Sequence, residues 1–250
     1  MPEKFLNKLL FNSKMLEIPR LSIGELGTSS ASNRLGQILE NPGVVLITGL
    51  DQTIFDRLYE QARIFFDSPL KSSFMHEAVE EGYKIRRPYK REFFYVDGLN
   101  GLIRHLGQFP DFKLAIQEVY ITLEDLSTRI VSSIGVYLDN RTPILDYMKF
   151  MRKMTIMKYP PIEDFPEIER NPGHPDPPCT LLPRATQDGL EVRVKDEWVS
   201  VPFETGTAVF MPGGALERYS DMRIRELWHR VRNTSLDLQN PRYAMGFSLQ

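Results

Sequence analysis

Between Thr180 and Leu249 the chain breaks into short apolar runs, TLL, LEVRV, WVSVP, TAVFM and YAMGFSL, with turn-forming residues between them. Runs this short cannot carry the apolar stripe of an amphipathic helix, so they predict short strands packed as a sandwich or barrel. Upstream the period changes. Phe112, Ile116, Val119, Leu123, Leu126 and Ile130 recur at helical spacing, which predicts one long helix from Asp111 to about Tyr137. Residues 51–69 open on an Asp cap, place Ile54, Leu58, Ala62 and Phe65 on one face and stop at Pro69. LGQILEN predicts a helix ending at Asn41-Pro42-Gly43, the β-branched run Val44 to Ile47 a buried strand, and EIPRLSI (17–23) a short strand. Residues 80–98 read as loop and strand, with Phe93, Phe94 and Tyr95 as the apolar part, and residues 1–15 as a short amphipathic helix. With neither an internal repeat nor a low-complexity linker, the helices are expected to brace one β core.

The chain has 250 residues, 42% of them hydrophobic and 26% charged, enough to bury a sizeable core. Its net charge of −2 supplies no field for nucleic acid or an anionic membrane surface. The lone Cys179 excludes an intrachain disulfide framework. Lys4, Lys8 and Lys14 interrupt any signal-peptide core, and no run approaches the roughly 18 apolar residues of a membrane span. These features predict a cytoplasmic protein with no nucleic acid, no membrane and no obligate protein partner.

NPGHPDPPCT (171–180) places one of only four histidines two residues from an aspartate, between prolines. In an extended segment such side chains project to one face, so His174 and Asp176 would converge. Together they are two ligands of a 2-His-1-carboxylate facial triad, which holds Fe(II) and leaves positions open. A second histidine must come from His76, His105 or His229. The 55 residues from His174 to His229 suit several strands leading away and back. A proline-rich surface turn, with aspartate as turn former, accounts for the same stretch without a metal. Cys179, with no evident base beside it, suits a small packed side chain.

From Met157 to Phe247 the chain runs MKYPP, GHPD, TLLPRATQDGLEVRVKDEWVSVPFETGTAVFMPGGALERYS, HRV and RYAMGFS. This order resembles the iron- and 2-oxoglutarate-dependent oxygenases of the isopenicillin N synthase-like family. IPRLSIGEL, NPGVVLITGL, RIFFDSPLKSSF and GYKIRRPYKREFF resemble successive parts of that family's N-terminal half.

The resemblance implies mixed α and β structure: a double-stranded β-helix (jelly-roll) core braced by N-terminal helices and one long helix. It implies a single oxygenase domain over 1–250, with 1–150 as the N-terminal half and 151–250 as the catalytic, iron-binding half. It makes His174, Asp176 and His229 the metal ligands. Arg242 and Tyr159 would bind the distal carboxylate of 2-oxoglutarate, a task that suits the planar guanidinium fork. Fe(II), 2-oxoglutarate and O2 would oxidise a small molecule, by default hydroxylating it, in specialised metabolism, with release of succinate and CO2.

The family's Arg-x-Ser is here Arg242-Tyr243-Ala244, without the serine hydroxyl. An iron oxidase that does not use 2-oxoglutarate, and an inactive binding protein on the same scaffold, are the alternatives. The chain ends at Gln250, directly after the last expected strand, which implies a more open pocket or a lid from the N-terminal half. The basic cluster Lys84, Arg86, Arg87, Lys90 and Arg91 reads first as a solvated face; an anionic substrate would be the functional counterpart. Arg184 and Arg193 fall on expected core strands with their direction open, and Trp228, beside His229, reads as a core residue.

Overall fold

The computed structural model describes residues 17–75, 81–86, 91–139, 144, 152–161, 170–201, 204–234 and 239–249. The expected helix at 1–15 lies outside them, as do His76, Arg87 and Lys90. The elements are β1 (Arg20–Ser22), α1 (Ser29–Glu40), β2 (Val45–Thr48), α2 (Gln52–Asp67), β3 (Gly82–Arg86), β4 (Arg91–Asp97) and α3 (Pro110–Tyr137). They continue as β5 (Arg152–Tyr159), β6 (Asn171–His174), β7 (Cys179–Pro183), β8 (Leu190–Val194), β9 (Glu197–Ser200), β10 (Thr207–Met211), α4 (Gly214–Tyr219), β11 (His229–Val231) and β12 (Arg242–Leu249). Short 3-10 helices cover Pro69–Phe74 and Leu102–Gln108.

Each main helix starts where the sequence supplies a cap. The Thr28 side chain accepts from the Ala31 N–H at the head of α1, and Asp51 accepts from Thr53 at the head of α2. Pro110 opens α3, where its missing N–H removes no helical hydrogen bond.

The strands form two sheets. The larger runs β1-β2-β10-β7-β12-β5-β4-β3 and the smaller β6-β11-β8-β9, with every pairing antiparallel except β1 with β2. This is the mixed architecture with a jelly-roll core that the sequence predicts. The period of two along β12 divides the molecule. Tyr243, Met245, Phe247 and Leu249 enter the apolar layer under the helices, while Arg242, Ala244, Gly246 and Ser248 line a cavity between the sheets. In β2, Val45 and Ile47 join the helical layer whereas Leu46, like the neighbouring Val44, faces between the sheets. A strand buried on both faces explains why that segment reads as a continuous apolar run.

The helical layer centres on Phe65, which stacks on Phe112 at 4.8 Å and meets Phe66, Phe74, Tyr83, Phe94 and Phe109 edge-on or tilted. Burying one such ring stabilises by about 1.5–3 kcal/mol. At one end, the space between the sheets is filled by Val44, Leu46, Leu190, Val192, Val209 and Met211. The other end is the cavity.

The segment 80–98, expected as loop and strand, holds the β3–β4 hairpin. Glu92 anchors it: Lys71 and the Tyr83 hydroxyl donate to its carboxylate, and Lys158 lies 3.4 Å away. Three partners on one mostly buried carboxylate hold the hairpin to β5 and to the segment after α2.

Candidate active site

β6 and β11 are adjacent antiparallel strands in which His229 stands directly opposite His174. Their rings are 4.5 Å apart, centroid to centroid. Asp176 lies just past the end of β6, so strand pairing holds only as far as His174. A loop, not strand alternation, delivers the carboxylate. It still arrives: Asp176 Oδ1 is 3.7 Å from His174 Nε2, and Oδ2 is 3.6 Å from His229 Nε2. One ligand atom from each residue falls within 4.8 Å of the others, close enough to share one ion. His105 is exposed on a 3-10 helix and takes no part.

Local contacts hold each side chain. Pro175 keeps His174 extended, because the residue before proline is barred from helical backbone. His174 Nδ1 lies 2.7 Å from the Pro172 carbonyl. A carbonyl only accepts, so Nδ1 carries the proton and Nε2 keeps its lone pair for the cluster. Thr180 donates its hydroxyl to Asp176 Oδ2 at 3.0 Å. The Asp176 and Pro177 carbonyls accept from the N–H groups of Gly214 and Ala215 at the start of α4. A β-carbon at Gly213 would collide with the Asp176 and Pro178 carbonyls, so the turn before α4 needs glycine to approach this loop. Nothing in the spacing of the sequence pointed to Thr180 or to Gly213-Gly214 as the supports of Asp176.

His229 is buried. Burial is the largest influence on its pKa and pushes it down; Asp176 pulls it up and His174 pushes it down again. The net direction favours the neutral ring, which is the form that binds a metal.

Arg242 and Tyr159 are cross-strand partners on β12 and β5, and the guanidinium carbon lies 5.2 Å from the Tyr159 ring centroid. Arg242 is 2% exposed. Its Nε donates to the Gln187 and Asp188 carbonyls at 3.1 and 3.3 Å, while Nη1 is buried without a partner. The Tyr159 hydroxyl donates to Met157 Sδ at 3.6 Å, a weak acceptor. Ala244 sits two residues along the same face, packed with Tyr159 and Ala185. The metal cluster, Arg242 and Tyr159 all line one cavity of about 490 Å³.

Residues 146–250 match the 2OG-Fe(II) oxygenase superfamily. Proteins of that superfamily use Fe(II), 2-oxoglutarate and O2, and the matched segment carries the metal cluster, Arg242 and Tyr159. The donors present fit those groups: two imidazoles and a carboxylate for the iron, and a buried guanidinium with an unpartnered Nη1 for a dicarboxylate. Among solved structures, the Arabidopsis thaliana dioxygenase for auxin oxidation, in binary complex with 2-oxoglutarate, aligns with a TM-score of 0.81 at 15% identity, covering 93% of this chain and 92% of that one. A full-length Neurospora crassa protein in complex with α-ketoglutarate aligns at 0.80 and 16% identity, covering 96% and 87%. A 2OG-Fe(II) oxygenase family protein from Caulobacter crescentus aligns at 0.78 and 23% identity, covering 94% and 86%. At these identities the likeness is one of fold. No curated protein sequence matches the chain significantly.

Three expectations change. Trp228 is 40% exposed and not a core residue, because the peptide that turns His229 inward turns its neighbour out. Arg184 lies beyond the end of β7, whereas Arg193 lies on β8 as expected, its open direction being toward solvent beside Asp196. The basic cluster is not simply a solvated face, since Arg86 and Arg91 line the cavity. No helix among the described residues is long and apolar enough to cross a membrane.

Proposed function

We propose that His174, Asp176 and His229 hold one Fe(II), that Arg242 and Tyr159 receive the distal carboxylate of 2-oxoglutarate, and that the protein hydroxylates a small molecule in the remaining space. Arg242 carries this reading. It is a buried cation with an unpartnered Nη1, in the same cavity as a cluster suited to iron. An uncompensated buried charge is costly, and a carboxylate arriving there relieves the cost with charge-assisted hydrogen bonds.

When bound, Fe(II) with 2-oxoglutarate and O2 supplies the oxidising power, and the cosubstrate leaves as succinate and CO2. The chain does the positioning. The Pro172 carbonyl orients the His174 ring, and Thr180 orients the Asp176 carboxylate. Tyr159 supports the Arg242 guanidinium from below. Met157, Leu182 and Ala185 keep that part of the cavity apolar. The ordered motifs support placement in the isopenicillin N synthase-like branch, as one oxygenase domain acting in the cytoplasm on a substrate of specialised metabolism.

The test is anaerobic addition of Fe(II), then 2-oxoglutarate, to metal-free protein, watching for the weak visible charge-transfer band of a chelated keto acid. The band is expected in the wild type and not in Arg242→Ala at the same cosubstrate concentration, with iron binding lost in His174→Ala. Iron binding without a band removes the role given to Arg242. Unchanged iron binding in His174→Ala removes the cluster.

A further inference from the structure

The cavity holds a second pair of cations that the iron and 2-oxoglutarate do not use. Arg86 and Arg91 stand directly opposite each other across the β3–β4 hairpin and both line the cavity. Guanidiniums in facing positions can present their planar forks to one anion. Arg86 has no carboxylate partner among the described residues; its guanidinium lies instead over the rings of Phe93 and Tyr95, at 5.2 and 5.6 Å. Arg91 also lies over Phe93, at 5.7 Å, and donates to the Asn171 side chain at the start of the strand that ends in His174. The only acidic side chain lining the cavity among the described residues is Asp176, which belongs to the metal cluster.

Register separates this pair from the cosubstrate arginine. Arg242 is opposite Tyr159 on β5, and Lys158, beside it, is opposite Glu92, beside Arg91. Tyr159 therefore stands between Arg242 and Arg91, and the cavity has two anion positions on either side of one aromatic ring. Next to the second position Phe93 and Tyr95 present parallel rings, 5.5 Å apart and 1° from coplanar in orientation, on the cavity face of β4. Met157 and Leu182 continue that apolar wall. A volume of about 490 Å³ that must also admit 2-oxoglutarate leaves room for a small molecule only.

We infer that the substrate is a small, flat, ring-bearing carboxylate whose anionic group is held by Arg86 and Arg91 and whose ring lies against Phe93 and Tyr95. This rests on the oxygenase reading above and names the substrate class for the same cavity. The paired arginines suit a carboxylate because each guanidinium can meet it with a planar fork, and the rings suit an unsaturated body because aromatic faces stack.

The test uses 2-naphthoate and its uncharged counterpart 2-naphthamide as probes. Both are titrated calorimetrically into anaerobic protein carrying Fe(II) and 2-oxoglutarate, while the charge-transfer band is recorded on the same samples. Naphthoate is expected to bind at least about tenfold more tightly than naphthamide, the worth of one charge-assisted hydrogen bond. Arg86→Gln and Arg91→Gln should each erase most of that preference and leave the band in place. Equal or undetectable binding of the two probes to wild-type protein overturns the inference, as does a preference that survives in both variants. Loss of the band in either variant also overturns it, because the arginine would then be serving the cosubstrate. Absence of the band from wild-type protein that still prefers naphthoate sinks the oxygenase reading and leaves the carboxylate site standing.

Discussion

Replacing Arg242 by methionine keeps an unbranched side chain in the cavity and removes the charge. The guanidinium Nε is already spent on the Gln187 and Asp188 carbonyls, so the free end is Nη1, and at least one charge-assisted hydrogen bond to 2-oxoglutarate is at stake. Such a bond contributes about 1.5–3 kcal/mol. The dissociation constant for 2-oxoglutarate should then rise roughly 10- to 150-fold. At a cosubstrate concentration near 100 times the wild-type constant, binding stabilises the wild type by about 2.7 kcal/mol and the variant by about 1.4 kcal/mol or less. In a chain of this length 1 kcal/mol moves Tm by about 2–4 °C, so a wild-type shift of roughly 5–10 °C should at least halve. The assay is anaerobic thermal denaturation with Fe(II) present, with and without 2-oxoglutarate. Taking the difference for each protein removes whatever Arg242→Met does to the unliganded fold, including the loss of partners for two carbonyls. A variant whose 2-oxoglutarate-dependent shift equals that of the wild type refutes the placement of the cosubstrate on Arg242.

Three further outcomes are expected. Thr180→Val removes the hydroxyl bonded to Asp176 while keeping a β-branched side chain in the strand, and should weaken Fe(II) binding about 10- to 100-fold in a competition assay with a chelator. Ala244→Ser restores a hydroxyl on the face that carries Arg242, and should tighten 2-oxoglutarate about 2- to 12-fold, read from a titration of the charge-transfer band. Cys179 is fully buried and burial pushes its thiol up to about 12, so in native protein at pH 8 it stays neutral. Iodoacetamide should leave it unmodified by mass spectrometry until denaturant is added.

The elements that could be read from the chain are those whose causes are local. The Asp51 cap, the stop at Pro69 and the periodic apolar residues of α3 each act over a few residues, and the structure has them where the pattern predicts. The VVLI run could be recognised as a strand because burial on both faces erases alternation. His174, Asp176, His229, Arg242 and Tyr159 stood out because their types and order match a family pattern, and the structure brings all five to one cavity. The supports of Asp176 could not be read. Thr180 and the Gly213-Gly214 turn carry no distinctive spacing and matter only because the end of β10 comes up against the loop after β6.

By itself the sequence determined which donors are on offer, two imidazoles, a carboxylate and an arginine in the order of a family pattern, and a second half cut into strands short enough to close on themselves. Tertiary structure alone decided which side chains share a space. In strands, neighbours face opposite ways, so a shift of one residue in register would have turned Arg242 away from the cavity and into the helical layer. That register comes from partners far away in the chain: His174 against His229 and Arg242 against Tyr159. Pairings across such separations are set by which whole faces become buried together, and no local run of residues encodes them.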